Sequence, residues 1–191
     1  MPHRHRRSAP PLPRLWLMTD ERAGESLWIA LHRLPRGAGV IFRHHATAPA
    51  ERRRLFERVR AIARRRGLML ILAGRAEQAI GWRADGVHGR ARNAAGTRLP
   101  RTAPVHDARE IERARRIGAD LLLLSPVFPT RSHIGARSLG RWRFAALAAH
   151  TGIPVVALGG MDRRRAQRMA ALGAYGWAAI DAFTAPGRIR T

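Results

Sequence analysis

Two patterns alternate along most of the chain. Short, nearly continuous apolar runs occur at Leu15–Thr19, Gly39–Arg43, Leu68–Ala73, Asp85–His88, Thr102–His106, Asp120–Pro126, Ile153–Leu158 and Gly176–Ala182. Short runs rich in Leu, Ile and Val read as strands buried on both faces. Between them the apolar residues recur at helical spacing. After Thr47, the side chains of Leu55, Phe56, Val59, Ile62 and Ala63 share one face, Pro49 falls in the first turn and Gly67 follows the last. Thr47 is the expected N-cap and Gly67 the expected stop. Asp107-x-x-Glu110 is a capping box ahead of the stripe Ile111, Ala114, Ile117. Further helices are expected over Glu25–Leu34, Ala76–Arg83, Ser138–His150 and Asp162–Leu172. Residues 89–100 read as a loop.

Buried strands alternating with amphipathic helices predict a parallel sheet covered by helices. Eight such strands favour a closed, compact (β/α)8 TIM barrel over an open doubly wound sheet. No G-x-G-x-x-G follows an early strand, as a dinucleotide-binding fold would require. Little chain follows the last strand, so the eighth helix is expected to be short or missing. The barrel wall left bare there is a surface that a second copy of the chain could cover, as a homodimer. The organisation read from this is a Pro/Arg-rich arm over residues 1–14, the barrel over 15–184 and a tail over 185–191.

Composition narrows the classes. A chain of 191 residues with 46% hydrophobic content suits one folded domain and argues against disorder. The longest apolar runs fall far short of the ~18–20 residues that span a bilayer, so no membrane partner is expected. Leu15–Met18, behind the basic start, is too short for a secretory h-region, which makes the cytoplasm the expected compartment. Without cysteine there are no disulfides, thiolate metal sites or cysteine nucleophiles. The net charge is +23, and all 36 basic residues are arginine. Such a field attracts polyanions. However, the runs Arg52–Arg54, Arg64–Arg66 and Arg163–Arg165 fall on what read as outer helix faces without aromatic platforms between them. GC-rich coding explains them more simply than nucleic-acid binding does.

In a (β/α)8 barrel the chemistry sits at the C-terminal ends of the strands. That places Asp20, Arg43, His44, His45, Gly74, Arg75, His88, His106, the 125–137 loop, Gly159-Gly160 and Asp181 at the expected mouth. Gly159-Gly160 lies between a strand and a helix that starts near Asp162. It reads either as a phosphate turn, where backbone N–H groups meet an anion, or as a tight turn needing positive φ. In the loop Ser125–His133, the Thr130 and Ser132 hydroxyls and the Arg131 and His133 nitrogens suit an anionic ligand, although surface loops often carry such residues. The histidines lack acidic partners at matching strand ends, so no metal site is expected.

The stretch Asp-Leu-Leu-Leu-Leu-Ser-Pro-Val-Phe-Pro-Thr-Arg-Ser-His-Ile-Gly-Ala-Arg-Ser-Leu-Gly from Asp120 to Gly140 resembles thiamine phosphate synthases and their TenI-like relatives. So do Leu17–Asp20, Ala84–His88, His106-Asp107, Val155–Met161 and Gly173–Ile180, in order over residues 15–183. The resemblance implies the barrel fold, cytoplasmic thiamine biosynthesis, and small phosphorylated thiazole and pyrimidine ligands. It also implies a reaction in which a pyrimidine diphosphate ionises at its CH2–O bond and a thiazole nitrogen captures the cation, with magnesium on the departing diphosphate. On the thiazole-phosphate side it points to Thr130, Arg131, Ser132, Gly159, Gly160, Ile180 and Asp181, the last standing where the family carries a small residue. On the diphosphate side Arg43 is retained, and His133 stands for the loop lysine. Within Ile41–His45, the other family positions are Ile41 and His45, where the family has Gln and Lys. Ala73-Gly74 replaces Asn-Asp, and no acid occurs from Gly89 to Arg101. The expected magnesium carboxylates are therefore absent, and metal-dependent turnover is expected to be weak or absent. The histidine that TenI-like tautomerases carry before Val-Phe is replaced by Pro126. Synthase, tautomerase and non-catalytic binder all remain open on sequence, with His45, His88 and His106 as further candidates.

Overall fold

In the computed structural model, residues 11–91, 99–130, 137–180 and 182–183 are described. Strands form where aliphatic residues can be buried on both sides: all four leucines of Leu121–Leu124 are inaccessible to solvent. The chain order is β1 (Leu15–Met18), α1 (Ser26–Arg33), β2 (Gly39–Phe42), α2 (Pro49–Arg66), β3 (Met69–Ala73), α3 (Ala76–Gly81) and β4 (Gly86–His88). It continues with β5 (Arg101–Val105), α4 (Ala108–Arg116), β6 (Leu121–Leu124), α5 (Gly140–Ala149), β7 (Val155–Leu158), α6 (Arg163–Ala170) and β8 (Gly176–Ala179). The eight strands pair in chain order as a closed barrel, and β8 returns to β1 in parallel register, Trp16 opposite Ala178. The expected (β/α)8 barrel is thus observed. The region of the eighth helix, from residue 184 onward, lies outside the described residues.

Alternation along each strand divides the core in two. Trp16, Met18, Ile41, Ile71, Leu123 and Val156 fill the barrel interior. Leu17, Val40, Phe42 and Leu70 face α1–α3, while Val105, Leu122, Leu124 and Ala157 face α4–α6. The largest interior side chain, Trp16, fits only because β2 begins with a glycine. A Cβ on Gly39 would lie 2.2 Å from the indole. Trp16 Nε1 donates to the Pro13 carbonyl at 2.6 Å, and Tyr175 Oη to Leu12 at 2.5 Å, so residues just ahead of β1 close the barrel floor.

Some local expectations are corrected. Thr47 does not cap α2: Ala48 is the N-cap and no side chain bonds the first turn. Gly67 ends α2 in the left-handed conformation, as expected. Asp107 caps α4, but Glu110 reaches back to the His106 N–H (2.8 Å) rather than to its own cap residue. A 3-10 turn, Glu21–Ala23, follows β1 under the cap of Asp20. Arg52 does not lie on an outer face. It is buried, donating to the carbonyls of Arg43 (2.8 Å) and Ala73 (2.8 Å).

Candidate functional site

The apolar strands end where the chain turns out over the barrel mouth, and the first polar or small residues there line one cleft. Ser125 and Pro126 follow β6, Gly159 and Gly160 follow β7, Ile180 follows β8, and Arg43 reaches across from β2. Thr130 and Met161 complete the rim. The cleft is small and opens to solvent at its mouth. Its floor is the Gly-Gly turn, with φ 96° at Gly159 and 60° at Gly160. Glycine is required here for two reasons. The backbone is left-handed, and a Cβ would fall 2.8 Å from Pro126 Cα at position 159 and 2.5 Å from the Pro129 carbonyl at 160. Among the described residues, the N–H groups of Gly160 and Met161 find no acceptor. They directly precede Asp162, the N-cap of α6, whose carboxylate accepts the Arg165 N–H, while the first turn itself carries Arg163, Arg164 and Arg165. Unpaired N–H groups at a helix N-terminus, with a cation nearby, make an anion site.

Arg43 is held rather than free. Its Nε donates to the Thr19 carbonyl (2.9 Å) and a terminal nitrogen to Asp20 Oδ2 (2.7 Å). Burial pulls its pKa down and Asp20 pulls it back up, leaving a fixed cation at neutral pH. The Asp20 carboxyl, hydrogen-bonded first by Arg22 and then paired with Arg43, stays below the usual carboxylate range despite partial burial. Thr19 Oγ1 accepts the Arg43 N–H (3.1 Å) and pairs with His44 Nδ1 (2.8 Å). His44 takes φ 43° and stacks on Phe42 with ring centroids 4.7 Å apart. Burial lowers its pKa, against the pull of Glu21 and Asp20.

The other histidines are not brought to the cleft. His45 is exposed, in a groove with Thr47, Arg52 and Trp82. His88 is buried inside the barrel with Nδ1 2.8 Å from Thr102 Oγ1. Burial, helped by the positive field of Arg43, pushes its pKa down to about 3. His106 is exposed and bound to Glu110 at 2.7 Å, and Glu110 also pairs with Arg90 at 3.0 Å. Arg131, Ser132, His133 and Asp181 lie outside the described residues. Sequence reasoning passed over Met161 and Arg165. Their signal was position alone, immediately after the glycine pair.

Among the described residues, Ala73 and Gly74 after β3 carry no donor side chain for a cation, and Asp20 is engaged by two arginines. Among the described residues no three His, Cys, Asp or Glu side chains gather as a metal site. Nor is any helix among them long and apolar enough to cross a membrane.

The family model described as thiamine monophosphate synthase matches residues 15–183, from β1 to just past β8. The chain belongs to the thiamine monophosphate synthase family. Relatives of similar length share about a third of its residues. A putative thiamine-phosphate synthase 2 from Aquifex aeolicus is 30% identical over 90% of this chain and 98% of its own. A thiamine-phosphate synthase from Chlorobium luteolum is 33% identical over 93% of this chain and 88% of its own. Among solved structures, a thiamine phosphate pyrophosphorylase from Pyrococcus furiosus superimposes with a TM-score of 0.75 at 27% identity, covering 91% of this chain and 88% of that one.

Proposed function

We propose that the cleft binds a thiazole phosphate, with the phosphate on Gly159, Gly160 and the start of α6, and the ring toward Pro126, Thr130 and Ile180. The observation that carries this is the Gly-Gly turn. It pairs open N–H groups with a backbone conformation and clearance that only glycine meets. Family membership supports the ligand class. Asp181, Arg131 and Ser132 belong to the same proposed site.

The second half of a synthase reaction is poorly supported. Coupling breaks the pyrimidine CH2–O bond, the electron pair leaves with the diphosphate, and the thiazole nitrogen forms the new C–N bond. Stabilising that leaving group takes several kcal/mol of selective charge, normally supplied by a divalent ion. Here Arg43 supplies a guanidinium already shared with Asp20, which is no substitute for concentrated divalent charge. Magnesium-dependent turnover is therefore weak or absent, and the protein acts chiefly as a binder of thiazole phosphate or of thiamine phosphate. The tautomerase reading is less favoured. Among the described cleft residues no side chain is a histidine or carboxylate, and the tautomerase reading rests on His133.

Calorimetry tests the assignment. Thiazole phosphate should bind, and the dephosphorylated alcohol should bind at least about tenfold more weakly, since the contacts invoked are to phosphate. Equal affinity for the two would refute the site. Magnesium-stimulated pyrophosphate release from both substrates, abolished by Arg43→Ala, would restore a synthase.

A further inference from the structure

We infer that Arg165 is a positioning residue that sets the orientation of the phosphate turn and locks it to the loop after β6. The inference rests on the reading that the Gly159-Gly160 turn receives the ligand's phosphate. Arg165 occupies the third residue of α6, where Asp162 caps its N–H at 2.8 Å. Its guanidinium turns back over the turn. One terminal nitrogen donates to the Gly160 carbonyl, and the planar group packs on the Phe128 ring, 4.7 Å from the centroid. Phe128 itself donates its N–H to the Gly159 carbonyl at 3.1 Å, and Val127 to Leu158 at 2.9 Å. Arg165 therefore touches both partners of a backbone junction between the β6 loop and the phosphate turn.

The consequence follows from peptide geometry. The Gly160 carbonyl and the Met161 N–H belong to one planar peptide and point in opposite directions. Holding the oxygen toward Arg165 aims the Met161 N–H away from it, and Met161 lines the cleft. A peptide next to two glycines has little conformational preference of its own. Reversed, it would present a carbonyl oxygen where an anion must sit. Arg165 removes that freedom.

The residue type is also wrong for the helix. The third helical position after an acidic cap favours Glu, and α4 follows that rule with Asp107-x-x-Glu110. In α6 the same frame reads Asp162-x-x-Arg165, with Arg163 and Arg164 beside it. Cations there oppose the helix dipole. A break with local preference that a neighbouring turn uses is the mark of a site rather than of helix stability.

The experiment compares wild type, Arg165→Ala, Arg165→Lys and Phe128→Leu. Thiazole phosphate and its alcohol are titrated by calorimetry, and peptide hydrogen exchange is read over 126–130 and 159–161 without ligand. Arg165→Ala should weaken thiazole phosphate about tenfold or more and leave the alcohol within about twofold. Arg165→Lys keeps the charge but not the planar fork, and should recover only part of the loss. Exchange in both segments should rise in Arg165→Ala and, to a smaller extent, in Phe128→Leu, with the global melt little changed because Arg165 is part-exposed. Full recovery by Lys would show simple charge attraction and overturn the positioning role, as would unchanged exchange in Arg165→Ala. If that variant fails to fold, the Lys and Phe128→Leu exchange data decide. Wild type that does not distinguish phosphate from alcohol would instead fail the underlying site, while the exchange result still judges the lock.

Discussion

His88 illustrates how one residue's surroundings set its contribution. It ends β4 pointing into the barrel, 6% exposed, and its imidazole pairs with Thr102 rather than with water. Burial holds its pKa at about 3, against an unfolded value near 6.5. The folded state therefore keeps the ring neutral while the unfolded state takes up a proton as pH falls below 6.5. The stability from this site is complete above that pH and is lost progressively down to about pH 3, at a limiting slope of about 1.4 kcal/mol per pH unit. His44, depressed by burial as well, adds to the same trend. Urea denaturation at pH 7 and pH 5 should show a clear loss in wild type and a smaller one in His88→Asn, which keeps a donor toward Thr102. Identical losses in the two proteins would mean that His88 is protonated in the fold or contributes nothing.

Helix starts divide into those held by a side chain and those held by packing. Asp107 and Asp162 each accept a first-turn N–H at 2.8 Å, whereas α2 begins at Ala48-Pro49 with no side-chain cap. Pro49 removes one of the unpaired first-turn N–H groups, and its fixed φ already suits the first turn. The long α2 is instead anchored by Phe56, Val59 and Ile62 on the core and by Arg52 on two strand-end carbonyls. Asp107→Ala should accordingly cost about 1 kcal/mol in urea unfolding, while Thr47→Ala should stay within about 0.5 kcal/mol. A Thr47 effect as large as that of Asp107 would contradict the observed cap geometry.

At the scale of the molecule, the net charge of +23 already counts the acids, and several of these gather two arginines each. Arg53 and Arg60 converge on Glu57, Arg115 and Arg116 on Glu112, and Arg22 and Arg43 on Asp20. The expectation that the helix arginines lack aromatic neighbours is corrected by α2. Arg58 lies 4.2 Å from the Trp28 ring centroid, and Arg52 and Arg53 lie 5.2 and 5.1 Å from Trp82. Each of these rings carries at least one of the protein's own guanidinium groups over it. Binding to a random DNA duplex should therefore be purely electrostatic, detectable by fluorescence anisotropy at low salt and lost by roughly 0.2 M salt. Tight binding that survives that salt would make nucleic acid a genuine partner.

Strand and helix identity, the closed barrel and the location of the Gly-Gly turn were legible in the sequence because each is written locally. Aliphatic runs have nowhere to be buried except between two layers, and a glycine pair between a strand and a helix marks a turn that needs positive φ. The family resemblance was legible for the same reason, through short contiguous strings such as Asp120–Gly140. What the pattern could not decide was where the strand-end side chains go. Strict alternation would turn Arg43 and His45 into the mouth and His44 out beside Phe42. Arg43 and His44 follow it, with the His44 ring stacked on Phe42, but after the left-handed φ of His44 the alternation lapses and His45 lies outside the cleft. Arg52 and Arg165, indistinguishable in sequence from their neighbours in arginine runs, became a buried clamp and a turn lock because other loops bring carbonyls and rings to them. A side chain's partners across the barrel mouth depend on barrel closure and on how the loops cross, and these arise only when distant segments meet.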